Sequence, residues 1–149
     1  MKDNKGLWLV IIQYTILPAL GLAGLFQPNT LPLFPWTRTV GAVMAWAGFA
    51  LTMLSCLNLG RNLTVMPKPK EDGTLIQTGL FKFVRHPLYF SILLAVVGWS
   101  LWRASWLALL FSVALYVLFD RKASHEEALL REKFPEYEAY AKRVKKLIP

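Results

Sequence analysis

Two stretches of twenty residues, Leu7 to Phe26 and Val40 to Leu59, contain no Asp, Glu, Lys or Arg. A helix rises about 1.5 Å per residue, so each stretch has the length that crosses a hydrocarbon core roughly 30 Å thick. A soluble domain of 149 residues rarely carries such runs, and here 55% of the chain is hydrophobic, with a positive mean hydropathy. The first run is read as a retained span, not a signal peptide. The stretch before it, Met1 to Gly6, carries an acid, and no small-residue cleavage site with the usual spacing follows.

From Leu88 to Phe119 the chain runs for 32 residues with one charge, Arg103. A single helix of that length would be about 48 Å long, too long for one crossing. Two shorter crossings with a turn at 101–105 fit better, and the second is expected to continue past Asp120. The sequence therefore predicts an all-α, integral-membrane bundle of four transmembrane helices, with spans near 7–26, 40–59, 88–102 and 104–120. A re-entrant hairpin is the alternative for the second half. The tail, 121–149, is expected to form one or two amphipathic helices on the membrane face. Ser124-His-Glu-Glu127 has the form of a capping box, and an apolar stripe of Ala128, Leu129, Leu130 and Phe134 follows.

Charge distribution predicts the orientation. Of 17 Lys and Arg residues, 15 lie in the N-terminus, the 60–87 segment and the tail, whereas Arg38 and Arg103 alone lie in the two opposite loops. By the positive-inside rule both termini and the long central segment face the cytoplasm. Trp99, Trp102 and Trp106, with Phe34 and Trp36, would form the outer aromatic belt. The net charge of +8 is then a topology signal and an attraction to anionic membrane lipids. No interleaving of basic and aromatic residues suggests nucleic-acid binding. Cys56 is the one cysteine, and neither histidine has metal-ligand spacing to it, so neither a disulfide nor a metal site is expected. Pro18 predicts a kink in the first span, and Gly21/Gly24 and Gly41/Ala45 allow close helix approach.

Three polar groups share the predicted cytoplasmic face: Arg85-His86-Pro87-Leu88-Tyr89, Glu126-Glu127, and Phe134-Pro135-Glu136-Tyr137. Singly, each has a plain reading. Arg85 can meet lipid phosphate, His86 and Pro87 can start a helix, Glu127 can complete the capping box, and Tyr137 can anchor at the interface. Together they bring a cation, an imidazole, paired carboxylates and aromatic rings to one interfacial place, as a charged cofactor would require.

These residues carry a family resemblance. Thr78-Gly-Leu-Phe-Lys-Phe-Val-Arg-His-Pro-Leu-Tyr89, an apolar hairpin, Glu126-Glu127, Phe134-x-x-Tyr137-x-x-Tyr140 and a terminal Leu-Ile-Pro149 follow one another in order. In this the chain resembles the isoprenylcysteine carboxyl methyltransferase family, within a wider group of small membrane methyltransferases that includes phospholipid N-methyltransferases. The resemblance covers about 59–149. It implies a single membrane methyltransferase domain over 1–149 that uses S-adenosylmethionine and admits a lipophilic or lipid substrate sideways from the membrane. It also implies cofactor-binding roles for Arg85, His86, Pro87, Tyr89, Glu126 and Glu127, and more loosely for Tyr137 and Tyr140. A glycine commonly stands two residues after the tyrosine, where this chain has Ser91.

The acceptor stays open at this level. A carboxylate is already ionised and needs a cation to position it, for which Arg85 or Arg121 would serve, with Lys122 in reserve. A phospholipid amine must first lose a proton, which asks Glu127, His125 or His86 to act as base. Two further readings are an NADPH-dependent reductase relative, for which no site for the extra phosphate is evident, and a non-catalytic membrane scaffold. No Gly-rich nucleotide loop follows a strand, which excludes a soluble Rossmann-type methyltransferase.

Overall fold

The computed structural model describes residues 4–64 and 72–149, and among these every regular element is helical. The elements are α1 (Asn4–Phe26), α2 (Pro35–Leu59), α3 (Pro87–Trp102), α4 (Trp106–Lys133) and α5 (Tyr137–Arg143). Single 3-10 turns at Gly60–Asn62 and Gly79–Lys82 shape the connection between α2 and α3. Two helices, α1 and α2, are long and apolar enough to cross a membrane; α3 is a shorter apolar helix of 16 residues. The helix α4 is 28 residues long and changes from apolar to charged along its length.

Large apolar side chains face outward in rows: Trp8, Leu22 and Leu25 on α1, Val43, Trp46, Phe49 and Leu57 on α2, and Leu110, Val113 and Val117 on α4. Water would not tolerate so continuous an apolar surface, whereas hydrocarbon solvates it.

Without a hydrophobic force between helices in lipid, close packing must hold the bundle, and small residues provide it. The helix α2 packs along α3, and α1 along α4, while α3 and α4 join the two pairs. At the α2–α3 contact, a Cβ on Gly48 would lie 2.7 Å from the carbonyl oxygen of Ser91, and one on Gly98 would lie 2.7 Å from that of Gly41. No side chain fits there. Ser91 is buried in this same seam, where Thr52 Oγ1 donates to its Oγ at 3.0 Å. Its place is therefore against α2, which accounts for a small residue two positions after Tyr89.

Both short loops lie at one end of the bundle. The α1–α2 loop crosses the α3–α4 turn, with Asn29 N donating to Arg103 O at 2.9 Å and Leu31 N to Ala104 O at 2.8 Å. The turn falls where the expected break between spans put it, and Ser105 caps α4 by accepting from Ala108 N at 3.3 Å. Of the expected aromatic belt, Phe34, Trp36, Trp102 and Trp106 are exposed, but Trp99 turns inward against Gly24, with its Nε1 buried.

One expectation for the other end needs correction. The capping box at Ser124 does not form, because α4 runs unbroken to Lys133 and Ser124 Oγ donates to Asp120 O inside the helix. Glu127 is thereby free for tertiary contacts. The tail, expected as one or two amphipathic helices, holds the end of α4 and the seven-residue α5, after which the chain turns extended. That last segment straps the start of α3, with Arg85 N donating to Lys145 O at 2.8 Å and His86 N to Lys146 O at 3.1 Å. Lys146 Nζ closes the strap on Asp120 Oδ1 at 2.6 Å, and Leu147 enters the core with Tyr89, Leu115 and Phe119.

Candidate functional site

Proline dictates the geometry from which the site starts. Pro87 is the first residue of α3, where its missing N–H costs nothing, and it holds His86 in a non-helical conformation just before it. The ring of His86 makes no cap to the helix. It turns toward α4, where its Nε2 lies 3.2 Å from Glu127 Oε1. Arg85 Nε donates to the same oxygen at 2.8 Å, and its Nη1 donates to the carbonyls of Ala141 and Val144. Arg131, one turn along α4, reaches Glu127 Oε2 at 3.4 Å.

Glu127 is only 4% exposed, so its charge depends on these partners. Burial alone would raise its pKa; the bonds from His86 and Arg85 outweigh that and hold it at about 2. It is thus a fixed anion that ties α3, α4 and the tail together.

Glu126 occupies the neighbouring position but a different environment. Its carboxyl remains one-quarter exposed, accepts from Tyr89 Oη at 3.0 Å and stands 3.7 Å from His86 Nδ1. The His86 and Tyr89 rings stack with centroids 5.4 Å apart, and Tyr89 stacks in turn on Phe119 at 4.7 Å.

A cavity of about 270 Å³ opens beside this network. Its polar lining includes Arg85, His86, Tyr89, Glu126 and Lys122, and its apolar lining includes Leu59, Leu63, Leu75, Ile92 and Phe134. Tyr137 and Tyr140 complete one wall. Tyr140 Oη donates to Phe81 O at 2.7 Å, and burial pushes its pKa up to about 12. The hydroxyl of Tyr137 is buried with no hydrogen-bond partner among the described residues, while its residue is 1% exposed. A buried hydroxyl without a partner is costly, and Tyr137 is a lining residue whose donor a polar ligand could satisfy.

Lys122 is the one cation of α4 that lines this cavity. Its Nζ donates to Gln13 Oε1 of α1 at 2.6 Å and lies 5.4 Å from the Tyr89 ring centroid. Burial lowers its pKa, and the nearby Glu126 counters part of that. Arg121 is exposed and outside the lining, because one residue along a helix rotates a side chain by about 100°. His125 is likewise outside it. Gln13, which the sequence reading passed over, is the one side-chain amide in the run 7–26, and that was its available signal.

Residues separated by about forty positions, such as His86 and Glu126, thus line one cavity. A model of the phospholipid methyltransferase family matches residues 36–137, from the start of α2 to the tyrosine wall of the cavity. The chain belongs to this family. Within the curated relatives, a probable protein-S-isoprenylcysteine O-methyltransferase of Oryza sativa subsp. indica is 29% identical, over 95% of this chain and 78% of that protein. The protein-S-isoprenylcysteine O-methyltransferase of Schizosaccharomyces pombe is 33% identical, over 57% of this chain and 37% of that one. A solved eukaryotic intramembrane Ras methyltransferase, isoprenylcysteine carboxyl methyltransferase, superposes with a TM-score of 0.72 at 19% identity. All of this chain is covered, but only 54% of that one, so the chain spans about half the length of the solved relative. The family fold and the apolar surface identify an integral membrane protein.

Proposed function

We propose that this chain is an S-adenosylmethionine-dependent methyltransferase acting on the carboxylate of a small lipophilic acceptor of isoprenylcysteine type. The observation that carries the reading is the single cavity lined by His86, Tyr89, Glu126 and Tyr137, the last with a hydroxyl that has no partner among the described residues. The names of the relatives supply the reaction class.

The lining fits the donor. Glu126 offers a carboxylate to an ammonium or a ribose, Tyr137 offers a hydroxyl to an anion or a ribose, and the ring of Phe134 offers a face to a base or a cation. When bound, S-adenosylmethionine supplies a methyl group already activated by its sulfonium, so the reactivity resides in the cofactor. What remains for the protein is alignment and exclusion of water, worth about 7–11 kcal/mol in well-oriented systems. Glu127 serves the site indirectly: it holds Arg85 and His86 in place and does not line the cavity.

The choice of acceptor follows from charge. A carboxylate needs a cation and no base, and Lys122 is a buried cation within the cavity wall. Arg85 is the second cation there, though its Nε and Nη1 are committed to Glu127 and the tail. An amine acceptor, as in a phospholipid N-methyltransferase, would need a base; Glu127 is held too acidic to take a proton near neutrality, His125 lies outside the lining, and the His86 ring is engaged by Glu127 and stacked on Tyr89. The apolar lining residues Leu59, Leu63 and Ile92 suit a lipid chain beside the reacting group. In the membrane, the cavity end faces the cytoplasm with four crossings, as the 15-to-2 distribution of basic residues favours.

The test is incubation of the purified protein with labelled S-adenosylmethionine and either an S-farnesylcysteine analogue or phosphatidylethanolamine. Label that mild alkali releases as methanol, on the first acceptor only, is the expected result. Alkali-stable label on the amine would overturn the carboxylate reading, and no label on either would overturn the enzyme reading.

A further inference from the structure

The two basic residues that run against the charge bias, Arg38 and Arg103, meet in one place. They line a cleft of about 430 Å³ at the end of the bundle opposite the cofactor cavity, together with Asn29, Thr39 and Trp102. We propose that this cleft binds the phosphate of a membrane lipid headgroup, with Arg38 and Arg103 as its cations.

The cleft is built, not incidental. Two of its lining residues, Asn29 and Arg103, belong to the crossing where the α1–α2 loop is stitched to the α3–α4 turn by Asn29 N to Arg103 O and Leu31 N to Ala104 O. Thr30 Oγ1 adds a third tie by accepting from Trp106 N at 3.1 Å. Asn29 takes a positive φ of 63° to make the crossing, a conformation asparagine tolerates well. Arg103 is anchored by Nε, which donates to Gly24 O at 2.9 Å, and its guanidinium carbon lies 5.7 Å from the Trp99 ring centroid. Its remaining N–H groups are left to meet a ligand. Arg38 makes no hydrogen bond or ion pair with a described residue.

Neither charge is neutralised locally. The described acids are Asp72, Asp120, Glu126, Glu127, Glu132, Glu136 and Glu138, and all belong to the other end or its approaches. Two guanidinium groups half-removed from water without a carboxylate need an anion, and a phosphate accepts from two arginines with good geometry. Arg38 also stands in the first turn of α2, where unpaired backbone N–H groups add positive potential. The volume exceeds that of a phosphate alone and admits a headgroup. Exposed Trp102 lines the site, and exposed Trp36 and Trp106 stand at the same end of the bundle, which puts it at the level where lipid phosphates lie. The inference does not depend on methyl transfer.

The experiment is native mass spectrometry of the intact, detergent-purified protein titrated with phosphatidylglycerol, or with diacylglycerol, which has the chains but no phosphate. Wild type should retain phosphatidylglycerol and not diacylglycerol. R38Q should retain about ten-fold less, R38K should retain an intermediate amount, and K142Q, at the opposite end, should behave as wild type. Inorganic phosphate in millimolar excess should leave the lipid bound. Equal retention by R38Q and wild type, equal binding of diacylglycerol, or complete displacement by inorganic phosphate would each overturn the assignment. Should R38Q not fold, the diacylglycerol and phosphate arms on wild type, with R38K, still decide it.

Discussion

Replacing Glu127 with glutamine removes one charge from the point where α3, α4 and the tail meet. The side chain is 5% exposed and is approached by Arg85 at 2.8 Å, His86 at 3.2 Å and Arg131 at 3.4 Å. Its pKa falls from 4.5 to about 2 on folding, and a pKa unit corresponds to about 1.4 kcal/mol, so the ionised form contributes about 3 kcal/mol. The sign is that of a depressed carboxylate: the contribution is complete above about pH 4.5 and disappears as pH falls toward 2. E127Q should therefore unfold roughly 6–12 °C below wild type at pH 7, and the gap should close on acidification. Thermal unfolding in detergent, followed by tryptophan fluorescence at pH steps from 7 to 3, measures both. Equal stability at pH 7, or a gap that does not narrow toward pH 3, would refute the claim that this carboxylate is held ionised by its partners.

Three further outcomes follow from the same contacts. Y137F removes a buried hydroxyl without a partner, so the protein should be as stable as wild type or slightly more so, yet lose most of the stabilisation by S-adenosylhomocysteine in a thermal-shift titration. K122Q should leave that titration nearly unchanged while raising KM for a carboxylate acceptor about ten-fold or more, measured by initial rates. G98L forces a side chain between α2 and α3, where no Cβ fits; it should cost at least about 1–3 kcal/mol in thermal unfolding, whereas G21L, which meets nothing within 4 Å, should be near neutral.

Much of the scaffold is legible in the chain because hydrocarbon imposes a simple rule. A segment that crosses it must be apolar and helical, so the runs at 7–26 and 40–59 can be seen without a structure, and the single charge at Arg103 marks the turn between α3 and α4. The motif residues could also be assigned to one face. Their pairing could not. The pattern Ser124-x-x-Glu127 is the same whether it caps a helix or lies inside one, and continuity of α4 through Ser124 is decided by packing of Leu118, Phe119 and Ala123 against the core. The tail shows the same limit: Tyr137, Tyr140 and Val144 have helical spacing, but the carbonyls of Lys145 and Lys146 find better partners in the N–H groups of Arg85 and His86.

Sequence by itself determined that this polypeptide is a helical membrane protein with its basic residues gathered at one end, since length, apolarity and charge act through each segment alone. Tertiary structure decided which of two adjacent residues faces the cavity: Lys122 and not Arg121, Glu126 as a lining group and Glu127 as a buried tie. A helix turns about 100° between neighbours, and its rotation is set by packing with distant segments, which no local pattern contains.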